Sequence, residues 1–207
     1  MIRIPPELYG TTGENPMEDI VSEVYPSLLE SYKDPAYLKE RAILTPKIET
    51  VHKFNDFLMN IIPGEARTYL SSDSVCKASI NTDNDDLLYP AEFLNNLRFS
   101  GVPNHNIQLK EGTPIMLLRN LNQSGGLCNG TRLIVTRLGK WSIRADIISG
   151  TKIGQNVTIP RIIMSSKNSK WPFKLNRRQL PVAPCFTMMI NQSQGQSLKR
   201  VVLYLPV

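Results

Sequence analysis

Carboxylates are almost missing from the second half of the chain. Residues 107–207 hold 15 Lys and Arg but only Glu111 and Asp146 as acids, a net of +13; residues 1–106 hold 9 basic and 16 acidic residues, a net of −7. The overall charge of +6 hides this split. A strongly cationic half points to a polyanionic partner. Cysteine is equally scarce. Cys76, Cys128 and Cys185 are scattered and form no CxxC pair, which argues against a zinc site and fits a reducing compartment. The two histidines, His52 and His105, have no serine, cysteine or carboxylate patterned around them, so no catalytic residue is assigned. No apolar run approaches the roughly 20 residues that span a bilayer, and Met1-Ile-Arg-Ile-Pro-Pro has no signal-peptide pattern, so no membrane partner is expected. There is no Gly-rich loop ending in Gly-Lys-Ser/Thr. The single Gly-Lys pair, Gly139-Lys140, runs into Trp141, and no apolar strand ends in an acidic pair. These residues therefore lack the usual cradle for nucleotide phosphates and the usual ligand for magnesium.

What is present is enough for one or two domains with real cores: 207 residues, 41% of them hydrophobic. Residues 1–14 read as loop. Asn15-Pro16-Met17-Glu18 carries the signals of a helix start, and Leu28 to Tyr32 reads as another short helical turn. Ala42-Ile-Leu44 is a short apolar strand. Thr45, as cap, and Pro46 then open a helix whose Ile48, Val51, Phe54, Leu58 and Ile61 recur at helical spacing until Pro63-Gly64. Strand, tight turn and amphipathic helix make the repeating unit of a parallel α/β domain. Asp83, Asp85 and Asp86 lack the Gly and closing Glu of a calcium loop and read as solvated; no metal site is assigned. Pro90 opens a short helix that runs to Ser100-Gly101.

From residue 107 the pattern changes to short strands: Pro114–Leu118, Thr131–Val135 after the Asn129-Gly130 turn, the alternating Trp141–Ile148, and Val157–Ile163 with Pro160 marking an edge or bulge. These predict a small antiparallel barrel. Between Thr151 and Leu180 lie seven cations and no acid. Trp171 and Phe173 interleave with them, as in grooves that grip single strands. The same run reads as a solvated basic surface, and the two aromatics as core residues.

Near the C-terminal end, the apolar run Cys185–Ile190 breaks into a polar turn, Asn191 to Ser197, before a second apolar run, Val201 to Leu205. This places the turn at the edge of a core sheet, where Gly195 allows the backbone close to a ligand. An ordinary polar connection has the same pattern.

Ile190-Asn-Gln-Ser-Gln-Gly-Gln-Ser197 followed by Leu203-Tyr-Leu-Pro206 resembles motif V of the petite-integration-frequency (PIF) family of ATP-dependent DNA helicases, in particular the superfamily-one branch of eukaryotic genomes and Helitron transposons. Arg41-Ala-Ile-Leu-Thr-Pro-Lys47 resembles the family's motif IV, and Tyr69-Leu-Ser-Ser-Asp-Ser74 the segment that follows it. Leu118-Arg-Asn-Leu with Gly126 to Arg132 is similar to the entry of the family's inserted barrel, and Pro172 to Pro181 to its exit.

The resemblance implies an α/β fold: a partial RecA-like parallel-sheet domain, the second motor domain, with an inserted SH3-like antiparallel β-barrel. Residues 1–37 would be a linker and helical lead-in and 38–107 the first part of RecA-like domain 2A. Residues 108–180 would form the barrel, domain 2B, and 181–207 the return to 2A, cut before motif VI. It implies a C-terminal fragment of a DNA helicase acting in repair, recombination, telomere or transposon replication in the nucleus. Its partners would be single-stranded DNA or another nucleic acid and a missing first RecA-like motor domain. ATP and Mg belong to the intact family member, and neither is expected to bind tightly to this fragment, which should be inactive alone. Carried over by position, Thr45, Pro46 and Lys47 would lie near the path of the DNA strand, Asn191 and Ser193 would face the DNA backbone, and Gln194 and Gly195 would lie near the nucleotide. Lys174, Arg177 and Arg178 are the nucleic-acid contacts expected of the basic half. Where the family has Thr and Lys, this chain has Met189 and Gln192, which removes two phosphate contacts. The alternatives are a non-enzymatic nucleic-acid-binding module and a degenerate transposon-derived remnant.

Overall fold

The computed structural model describes residues 15–76, 89–166 and 171–205. The expected loop at 1–14, the acidic cluster at 83–86, Lys167, Lys170 and Pro206 lie outside the described residues. By its contacts the chain forms two compact units, residues 1–62 with 186–207, and residues 63–185.

The first unit is a parallel α/β layer. Its three strands are β1 (Arg41–Thr45), β12 (Thr187–Met189) and β13 (Arg200–Leu203), in the order β12-β1-β13, both pairings parallel. Helix α1 (Pro16–Val24) begins at Asn15 with Pro16 in its first turn, as expected, and buries Val21 and Val24. Helix α2 (Leu28–Ser31) follows. A further helix, α3 (Pro35–Lys39), straddles the expected boundary between the helical lead-in, 1–37, and the segment from 38; Asp34 caps it by accepting from the Ala36 amide at 2.8 Å. Helix α4 (Ile48–Ile61) buries Val51, Phe54, Leu58 and Met59, each worth about 1.5–3 kcal/mol of transfer free energy. Its start differs from the expectation. Lys47, not Thr45, is the N-cap, because Thr45 is still paired in β1 opposite Met189.

The second unit is antiparallel throughout its strand pairings. A five-stranded sheet orders β11 (Val182–Pro184), β5 (Pro114–Leu117), β6 (Arg132–Leu138), β7 (Ser142–Ile147) and β8 (Asn156–Pro160). A second sheet orders β3 (Ser72–Val75), β10 (Leu175–Gln179) and β9 (Ile162–Ser165), while β2 (Arg67–Leu70) pairs with β4 (Asn106–Leu109). Ile115, Leu117, Leu133, Val135, Ile143 and Ile159 lie in one core with Tyr69. Strand β7 shows the alternation read from sequence: Ile143, Ala145 and Ile147 are buried. The segment read as one strand, 157–163, is two. Pro160 ends edge strand β8, and after Arg161 the chain enters the other sheet as β9. The helix expected to reach Ser100-Gly101 ends at Asn96 (α5, Ala91–Asn96); Gly101 is instead a left-handed turn position with φ +69°. The unit boundaries fall at 62/63 and 185/186 because β2, β3, β4 and β11 all pair inside the antiparallel unit.

Candidate nucleic-acid interface

The parallel pairing decides what the first unit can present. Thr45 lies opposite Met189 at the carboxyl ends of β1 and β12. The residues that leave those ends, Pro46-Lys47 on one side and the 3-10 turn Ile190–Ser193 on the other, therefore share one rim. Loops at the carboxyl ends of parallel strands are the usual ligand sites of such sheets. Thr45 and Met189, 144 residues apart in sequence, are neighbours here because parallel pairing needs no sequence proximity, only a crossover.

Pro46, Lys47, Asn191, Gln194 and Gly195 are exposed on this rim. Gly195 has φ +81° and nothing within 4 Å of where a side chain would begin. Ser193 is half-buried, and its hydroxyl donates to the Ile190 carbonyl at 2.7 Å. Gln192 has a structural task, since its Oε1 accepts from the Met189 amide at 3.2 Å and so closes the start of the turn. Thr45 departs from the expectation of a strand contact. It is fully buried, and its Oγ1 has no hydrogen-bond partner among the described residues. A side chain inside the layer has no surface to offer a nucleic acid.

Lys174 and the β10 residues that follow it belong to the second unit. Lys174 and Arg178 are exposed. Between them Arg177 points inward and is buried, which corrects its placement among the surface cations. Its Nε and Nη2 donate to the Asp73 carboxylate at 2.9 and 2.6 Å. Nη1 donates to the Leu97 and Pro103 carbonyls and Nη2 to that of Leu94. A guanidinium has five N–H donors, and these contacts use all of them. Sequence reading missed this because a strand alternates its faces: 174, 176 and 178 share one side, 175, 177 and 179 the other. Phe173 is likewise core, packed with Leu94 and Leu175, while Trp171 is 42% exposed and stacks on Phe173 at 6.1 Å.

Sequence also missed a polar network behind Arg177. Ser71 Oγ lies 2.7 Å from Asp73 Oδ1 and 2.8 Å from His105 Nδ1. Gln179 Nε2 donates to the Tyr69 and His105 carbonyls, both at 2.8 Å. The carboxylate is committed to Arg177 and the serine lies between acid and histidine, so the arrangement braces strands; it does not activate a nucleophile.

A profile of the DNA helicase Pif1 2B domain matches residues 92–138. The chain is 30% identical over 163 residues to the ATP-dependent DNA helicase PIF1 of Xenopus laevis, covering 73% of this chain and 21% of the relative. It is 32% identical over 111 residues to that of Danio rerio, covering 48% and 15%. The chain belongs to the Pif1 helicase family. The match spans 21% and 15% of the lengths of these two curated Pif1 relatives. The fold is that of Pif1 structures: the Candida albicans Pif1 helicase matches with TM-score 0.54 at 18% identity, over 90% of this chain and 47% of that one. Bacteroides Pif1 bound to ssDNA matches with TM-score 0.54 at 16% identity, over 93% and 43%. Among the described residues no helix is long and apolar enough to cross a membrane.

Proposed function

We propose that this chain is the strand-gripping part of a Pif1-type ATP-dependent DNA helicase. In this reading the parallel unit is part of the second RecA-like domain, 2A, and residues 108–180 form the SH3-like barrel, 2B, inserted into it. The observation that carries the proposal is the Thr45–Met189 register, which sets Pro46 and Lys47 beside the turn bearing Asn191, Ser193, Gln194 and Gly195. Lys47 supplies a cation for a DNA phosphate, the neutral groups of Asn191 and Ser193 supply contacts to the backbone, and Gln194 and Gly195 lie where a nucleotide would meet a partner motor domain.

ATP and magnesium do not fit the residues present. The sequence has no Gly-Lys-Ser/Thr loop. In this reading the chain binds single-stranded DNA, turns over no ATP by itself, and works in the nucleus in DNA repair, recombination, telomere or transposon replication together with a first motor domain.

The test is binding of labelled oligothymidylate to the full chain, with and without Lys47→Ala and Asn191→Ala, beside an ATPase assay. The expected result is DNA binding that both substitutions weaken and no ATP turnover until a first motor domain is added in trans. Binding indifferent to both rim substitutions would overturn the rim assignment. Binding with no ATPase rescue in trans would favour a non-enzymatic binding module, the reading that the exposed Lys174 and Arg178 of the second unit also support.

A further inference from the structure

Strands β6 and β7 of the antiparallel unit meet in the short connection Leu138-Gly139-Lys140-Trp141. The Gly139 amide donates to the Ser142 carbonyl at 3.0 Å, and a Cβ on Gly139 would meet that same oxygen at 2.6 Å, so the turn closes this tightly only around glycine. Three of its carbonyls are held from outside the hairpin. Arg67 Nη1 donates to that of Leu138 at 3.0 Å, the Tyr69 hydroxyl to that of Gly139 at 2.9 Å, and the Arg161 amide to that of Trp141 at 3.3 Å. A turn braced in this way has little freedom left to lose. Yet the side chain it carries is not used inside the fold: Trp141 is 64% exposed.

Leu70, the last residue of β2, is 54% exposed as well. Arg161 ties it to the turn, because its Nη1 donates to the Leu70 carbonyl at 2.6 Å while its own amide holds Trp141. A large aromatic presented on a fixed backbone suits the anchor of a protein interface: it buries much area and orders few torsions. The charges around it select the partner. The Lys140 ammonium lies 5.4 Å from the indole centroid, and Arg67 and Lys140 are both exposed. Among the described residues no carboxylate, that of Glu65 included, pairs with Arg67, Lys140 or Arg161. A carboxylate drawn to Lys140 brings its neighbouring side chains to the indole, where an apolar one is buried. A hairpin turn is a projection, whereas a nucleic-acid strand is gripped along a groove. Carboxylates interspersed with apolar groups describe a polypeptide.

We propose that Trp141, together with Leu70, anchors a docking surface for an acidic segment of a partner protein, one that carries apolar side chains between its carboxylates. The DNA-binding rim belongs to the other unit, so either assignment can fail without the other.

The experiment is fluorescence anisotropy of a labelled synthetic peptide, with Phe and Leu set among Asp and Glu, titrated with the full chain. Two control peptides replace the apolar pair by Ala or the acids by Asn and Gln. The expected result is saturable binding of the first peptide that weakens severalfold in either control. Trp141→Ala and Leu70→Ala should each weaken it severalfold, and Trp141→Phe should restore most of it. Lys140→Glu should weaken binding and make what remains less sensitive to salt. These side chains are exposed, so the melting temperature should stay in place. No binding of the acidic apolar peptide, or binding unchanged by Trp141→Ala, overturns the proposal. Equal binding of the control without apolar residues also overturns it, since charge attraction alone then accounts for the contact. If oligothymidylate displaces the peptide and Trp141→Ala weakens both equally, the indole is a base-stacking platform and the proposal falls. If the chain self-associates and Trp141→Ala abolishes the association, a second copy covers this surface and the proposal falls.

Discussion

Asn55 holds both backbone groups of Thr187 that face away from β1. Its Nδ2 donates to the Thr187 carbonyl at 3.0 Å, and its Oδ1 accepts from the Thr187 amide at 2.9 Å. Since Ile43 N donates to Phe186 O, the amide and carbonyl of Thr187 point to the outer edge of β12. A side-chain amide from α4 thus takes the place a further strand would occupy, and both groups are buried. Each left unmade costs about 1–3 kcal/mol. Asn55→Leu should therefore lower stability by about 2–6 kcal/mol, the sum of two such groups, and Asn55→Asp should also destabilise, because a carboxylate cannot donate to the Thr187 carbonyl. Thermal or urea denaturation measures both.

Arg177 and its neighbours Lys174 and Arg178 should separate cleanly. Removing one partner of a buried ion pair costs about 3–5 kcal/mol, and here the loss also strips the carbonyls of Leu94, Leu97 and Pro103 of their donor. Arg177→Ala is expected to lower the melting temperature sharply, whereas Arg178→Ala leaves it unchanged and acts only on DNA affinity. A calorimetric scan of the two variants checks this. Equal melting temperatures would mean that the Asp73 pair contributes nothing.

The elements with strong periodicity could be read directly. Helix α4 announces itself through Val51, Phe54 and Leu58, and β7 through the alternation of Ile143, Ala145 and Ile147. The joining of residues 41–47 to 186–197 came from motif resemblance, because parallel pairing across so long a loop leaves no local signal. Two things stayed hidden for physical reasons. Asn55 looks like a polar interruption on the helix, since only the tertiary structure shows an unpaired strand edge beside it. Arg177 looks like one of a basic run, although the period of two places it inward once β10 begins at Leu175. Helix α3 could have been found: Asp34-Pro35 is a cap followed by a first-turn proline.

Thr45 offers a test of what the buried end of β1 does. Its hydroxyl is buried without a partner among the described residues, and an unmet hydroxyl is a cost to the folded state. Thr45→Val keeps the shape and removes that cost, so the melting temperature should hold or rise and oligothymidylate affinity should not change. A fall in affinity at constant stability would return Thr45 to the interface.

Cys185 is fully enclosed, and burial pushes its thiol above the ordinary range, offset only in part by the Arg132 guanidinium beside it. The thiolate is the reactive form, so a raised thiol stays protonated and inert at neutral pH and reacts only as the pH climbs or the fold opens. Cys76 and Cys128 are only partly buried. Iodoacetamide at neutral pH should modify those two in the native chain and spare Cys185, while all three react in denaturant; peptide mass spectrometry reads the sites. Native labelling of Cys185 at a rate matching the other two would show that the packing between Pro114 and Arg132, which holds it through the Cys185 amide to the Pro114 carbonyl at 2.9 Å, opens readily.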